Sequence, residues 1–208
     1  MVRAAIAGLF VSAAPLAVSA APGLPDVGGG SIVYWSSAYA GTSDQYHERV
    51  LATGDDWVLF KSEFDDDFVE TETSDLFMIF SGTEYRACDE TMPTAEERQA
   101  LAALFPLEEG ATVALTSDDG DRAVRVGAAT NYFLMGQMHP AHEVFMEFED
   151  EEQSHKLVVL DEKPFTVAID WAETSSDRVM SITSPKEAPR SGQTAEDLGN
   201  CAAFLTAQ

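Results

Sequence analysis

The chain has 208 residues, with 12 lysines and arginines against 36 aspartates and glutamates, and a formal net charge of −24. A field of that sign opposes contact with DNA, RNA or anionic lipid headgroups, whose phosphates need basic side chains opposite them. It suits solubility, a saline habitat, or attraction of a basic protein or divalent cations.

The N-terminus reads as an export signal. Arg3 supplies a positive first region, residues 4–18 an apolar stretch interrupted by Pro15, and Ser19, Ala20 and Ala21 a small-residue cleavage site. The stretch is too short to span a bilayer comfortably, and no later apolar run is long enough to do so. No cysteine follows it to carry a lipid. Cleavage after Ala21 removes Arg3 and leaves 187 residues, 11 basic and 36 acidic, which fits one domain with a real core. The expected address is the periplasm or the extracellular medium. In an oxidising compartment an even cysteine count favours a disulfide, so Cys88 and Cys201 are expected to pair; two free thiols or a metal pair are the alternatives. Such a bridge spans 113 positions and is worth on the order of 4–5 kcal/mol in the chain-entropy picture.

Residues 22–30, rich in proline and glycine, read as a flexible linker, and the single domain is expected over 31–208. Residues 31–35 favour a strand. Residues 46–52 and 56–62 read as two strands joined around Gly54 and Asp55. Asp65, Asp66 and Asp67 mark a turn, and 68–73 a polar edge strand. Leu76, Phe77, Met78, Ile79 and Phe80 form an unbroken apolar run, the pattern of a strand buried on both faces. Residues 83–87 then lead to Cys88. Thr94 and Glu97 form a capping box, Pro93 precedes it, and Pro106 closes the segment, so a helix is expected over 95–104. Ala100, Leu101, Leu104 and then Leu107 make its apolar side, which would lie as a lid over strand 76–80.

Further strands are expected at 111–116, 122–126, 131–138, 143–148, 156–160, 165–171 and 178–183. A hairpin signal at Asp118, Asp119, Gly120 and Asp121 and an acidic turn at 149–153 punctuate them. Residues 184–193 read as a linker to a short C-terminal helix over 195–205. Thr194 and Asp197 cap it, and Leu198, Cys201, Ala202 and Leu205 form its stripe. The expected fold is therefore mainly β: a strongly curved antiparallel meander or half-barrel of about ten strands, with one packed helix and a disulfide-tethered terminal helix.

Candidate chemistry is sparse. His139, His142 and Glu143, with Glu147 and His155 nearby in sequence, are the one histidine cluster, but Pro140 makes 139–142 read as a turn, and no third ligand has a recognisable spacing. The acidic clusters at 65–67 and 118–121 lack the spacing of a calcium loop and fit turn chemistry. There is no G-x-S-x-G elbow, and Gly28, Gly29 and Gly30 do not open a phosphate-binding helix. No catalytic, cofactor-binding or metal residue is assigned, and no cofactor is expected. Met78, Met135, Met138, Met146 and Met180, with Phe77, Phe80, Phe133, Phe145 and Phe148, are expected to form a soft interior, able to line a cavity near the 95–104 helix.

In export signal, size and strand-to-helix balance the chain resembles the half-barrel carriers of the LolA/LolB type, which shuttle lipoproteins through the periplasm. The resemblance implies a curved sheet with a helix against its inner face; it rests on no motif and carries no residue roles across. Three functions stay open: a non-enzymatic protein that binds an apolar ligand or a partner on the curved sheet, an acidic-surface interaction protein with a basic partner, and a metal-dependent or hydrolytic enzyme using the His139 and His142 region.

Overall fold

Period-two burial and tight turns fold most of the chain into hairpins. The structure is a computed structural model and describes residues 27–63, 76–116, 120–148, 154–172, 175–184 and 198–205. The expected export signal, the Asp65–67 turn, the 68–73 strand, Asp118 and Asp119, the 149–153 turn, most of the 184–193 linker, and the Thr194 and Asp197 cap lie outside the described residues.

Eleven strands form: β1 (Ile32–Tyr39), β2 (Thr42–Thr53), β3 (Trp57–Glu63), β4 (Leu76–Phe80), β5 (Glu84–Ala87), β6 (Thr112–Leu115), β7 (Arg122–Leu134), β8 (Gln137–Phe148), β9 (His155–Leu160), β10 (Thr166–Ala172) and β11 (Ser175–Thr183). Helix α1 (Ala95–Ala102) lies between β5 and β6, and a 3-10 turn (Gly199–Cys201) runs into a single-turn helix α2 (Ala202–Leu205). The strands make one antiparallel sheet in the order β5-β4-β3-β2-β1-β11-β10-β9-β8-β7-β6. The first and last strands thus pair at its centre, and two meanders run outward to the edges β5 and β6. The sheet stays open, but it curls until its interior side chains meet. Tyr85 on β5 touches His155 on β9 and Trp171 on β10, and Glu84 on β5 pairs with Arg122 on β7 at 3.3 Å.

Helix α1 forms where the capping box placed it: the Thr94 hydroxyl accepts from the Glu97 amide, and the Glu97 carboxylate accepts from the Thr94 amide. Leu101, Leu104 and Leu107 are buried as expected. The two anchors of the helix come from distant parts of the chain, with Arg98 paired to Asp56 before β3 and Glu97 accepting from the Thr116 amide beyond β6. Along the run 76–80, Met78 and Phe80 are buried, whereas Leu76, Phe77 and Ile79 are half-buried and packed against the core.

Two further expectations change. Residues 122–126 and 131–138 are not separate strands; β7 runs on to Leu134, and the turn falls at Met135 and Gly136, with φ of 51° and 86°. Such a type I′ turn is usually Asn-Gly or Asp-Gly, so Met-Gly gave no warning. The shifted turn also exposes Phe133, Met135 and Met138, and Met180 lies outside as well, while Met78, Met146 and Phe80 do join the core. At the N-terminal side, the end of the segment read as linker is tied down: the Gly30 amide donates to the Val50 carbonyl and the Ser31 amide to the Gly28 carbonyl.

The disulfide is present between Cys88 and Cys201, with the two Cα atoms 5.2 Å apart. Gly199 explains why a glycine interrupts the terminal stripe. It has φ of 49°, and a Cβ there would fall 2.6 Å from the Cys88 carbonyl oxygen, far inside contact distance. Asn200 then donates its amide to that same carbonyl.

Candidate functional site

Register alone brings a set of distant residues onto the concave face of the curl. Across the β1–β2 hairpin, Trp35 pairs with Tyr46 and Val33 with Glu48. On the other side of β1, Asp177 of β11 stands opposite Ser37. Ile169 of β10 stands opposite Asp177, and Leu157 of β9 opposite Ile169. Facing them are Phe77 and Ile79 of β4 and Tyr85 of β5. Between these walls lies a pocket of about 500 Å³, within the size range of small-molecule sites. Its rings are mutually ordered: Trp35 stacks on Tyr46 with centroids 6.1 Å apart, and Tyr85 meets Trp171 edge-on at 5.4 Å. Among the described residues no residue of α1 and no methionine lines it; of the expected Met and Phe lining it has Phe77, and its other rings and acids come from the sheet.

The polar groups in this apolar setting are carboxylates. The Trp35 indole donates to Glu48 Oε2 at 2.8 Å, and the Trp171 indole donates to Asp177 Oδ2. Burial pushes the Glu48 carboxyl up to about 8, with the neighbouring Asp177 charge adding to the shift and the Trp35 hydrogen bond opposing it. Burial, then Glu48 and Asp177, drive the Tyr46 phenol far above its ordinary value. Glu84 closes one end of the pocket. It is wholly buried and paired with both Arg86 and Arg122; burial pushes its carboxyl up and the two guanidiniums pull it back. Asp177 Oδ1 and Glu84 Oε2 are buried without a hydrogen-bond partner among the described residues.

Two other depressions, of about 640 and 630 Å³, share the turn at residues 53–57 and reach helix α1, through Arg98 in the first and Ala102 with Phe105 in the second. The first holds Arg98, already paired with Asp56 and lying over the Phe204 ring.

The histidine cluster does not assemble. His139 and His142 are both inside β8, and side chains three apart on a strand point to opposite sides. His139 is buried, while His142 Nδ1 lies 2.7 Å from Asp161 Oδ1. Glu143 is engaged by Lys156 and Glu147 by Arg125. His155 sits among Tyr85, Phe148 and Trp171. Among the described residues no group of three or more His, Cys, Asp or Glu is placed to hold a metal ion.

Sequence reasoning missed Trp35, Glu48, Trp171 and Asp177 as site residues. A readable trace existed: Tyr46, Glu48 and Val50 alternate on one face of β2, so Glu48 is an acid at an inward position. What lies opposite it was not readable.

No protein-family model matches the chain, and no curated protein matches it. A solved structure that it resembles is a hypothetical lipoprotein, YmcC, from Escherichia coli K12, at 10% identity and a TM-score of 0.41, covering 76% of this chain and 85% of that one.

Proposed function

We propose that this chain is an exported, non-enzymatic binding protein that holds a small apolar ligand in the pocket between β1, β2, β4, β5 and β9–β11. The observation that carries the reading is the half-buried lining. Leu76, Phe77, Ile79, Tyr46, Tyr85 and Trp171 face a space of about 500 Å³ between the strands of a curled sheet. Unfilled apolar surface costs about 20–33 cal/mol per Å² while it stays wet, and a ligand recovers that by displacing water. The disulfide and the N-terminal sequence support export, since bridges persist in oxidising compartments.

Native mass spectrometry of the protein isolated from its own host tests the reading. The expected spectrum contains a non-covalent adduct of small-molecule mass. Substituting Ala87→Trp, which fills the pocket from β5, is expected to abolish it; an adduct that persists in a folded A87W protein would sink the proposal.

A further inference from the structure

The pocket has a charge character that an ordinary apolar cavity lacks. Three of its acids, Glu48, Glu84 and Asp177, are each at least nine-tenths buried, and Glu84 and Asp177 each keep a carboxylate oxygen without a partner among the described residues. Asp44 and Glu90 also line it, and among the described residues no lysine, arginine or histidine does. Glu84 has its counter-charges in Arg86 and Arg122; among the described residues that line the pocket, Glu48 and Asp177 have no counter-charge, only the Trp35 indole N–H on Glu48 and the Trp171 indole and Tyr46 phenol on Asp177. A buried carboxylate is costly unless paired, and aromatic rings attract cations at their faces. Trp35, Tyr46, Tyr85 and Trp171 surround the two acids.

Resting on the pocket reading above, we propose that the ligand is cationic: an amine or quaternary ammonium held between Glu48 and Asp177, with its apolar body against Phe77, Ile79 and Trp171. The charged head supplies the counter-ion that the walls omit, and the rings desolvate it. Binding of a cation also draws the proton off Glu48, so affinity rises with pH until that carboxylate is ionised in the empty protein. The titratable groups facing it are Asp44 and Tyr46 on its own strand, Asp177 on β11, Glu84 and Tyr85 on β5, and Glu90 beyond β5.

The test uses octyltrimethylammonium, whose charge does not titrate, against 1-octanol and octanoate, read by calorimetry and by quenching of Trp35 and Trp171. The cation is expected to bind with one-to-one stoichiometry at least about ten-fold more tightly than octanol, with octanoate weakest, and to gain affinity between pH 6 and 9. The double variant Glu48→Gln, Asp177→Asn is expected to lose that preference and keep octanol binding. Diffuse attraction by the chain's net charge would survive this variant, so retained preference there overturns the proposal. Equal affinity for cation and octanol overturns the charge inference and leaves the apolar pocket standing. Failure of all three probes with folded protein overturns both. Should the double variant not fold, the pH series on the natural chain decides: no gain toward pH 9 refutes the role of Glu48.

Discussion

Glu48 makes the residue-scale case that one buried acid can govern how the fold responds to pH. Its folded value of about 8 lies above the ordinary 4.5, so between those values the native state holds a proton that the unfolded state has released. Stability therefore falls as pH rises through that window and levels off above it, by at most on the order of 4–5 kcal/mol. Glu48→Gln keeps an acceptor for the Trp35 indole and removes the titration. Urea unfolding at pH 5, 6.5 and 8 is expected to show a flatter slope for E48Q than for the natural chain; parallel slopes would refute the assignment. Glu84 poses the opposite case. Glu84→Gln leaves Arg86 and Arg122 buried without their counter-charge, and its expected cost is about 3–5 kcal/mol. A loss under about 1 kcal/mol in the same assay would mean that the arginines find other partners.

At the scale of elements, the hairpin turns show what limits a reading by residue type. Among the described residues, two two-residue hairpin turns use an unexpected first residue: Ala40 before Gly41, and Met135 before Gly136, each with positive φ at both positions. A non-glycine residue other than Asn or Asp gains nothing there and costs roughly 1–2 kcal/mol of backbone strain. Met135→Asn is therefore expected to stabilise the chain by about 0.5–1 kcal/mol, seen as a raised urea midpoint at unchanged slope; a lowered midpoint would argue that exposed Met135 makes a contact worth more than the turn. The elements that were legible are those with local causes. The Thr94 and Glu97 box placed α1, and alternation of Val124 and Val126 with Arg125 placed the start of β7. The docking of α1 was not legible, because it depends on Asp56 before β3 and Thr116 after β6, 42 and 19 residues from their partners. The site was illegible for the same reason: it exists only once Asp177 of β11 and Glu48 of β2 are brought to either side of β1.

For the whole molecule, an open sheet must keep its curl without the hydrogen bonds that close a barrel, and the C-terminal strap is one of the clamps. Phe204 lies edge-on to Trp57 at 5.9 Å and near Phe80 at 5.7 Å, while Cys201 fastens the strap beside β5 through Cys88. The bridge spans 113 positions, so Cys88→Ser with Cys201→Ser is expected to remove about 4 kcal/mol. For a domain of this size that lowers Tm by roughly 10 °C. The strap and the pocket are separable, since neither Phe204 nor Cys201 lines the pocket. At 20 °C the serine variant is therefore expected to release Phe204 and shift Trp57 emission to the red, with ligand quenching of Trp35 and Trp171 unchanged. Loss of quenching together with the Trp57 shift would show that the strap holds the walls of the pocket apart, and that the disulfide acts on binding as well as on stability.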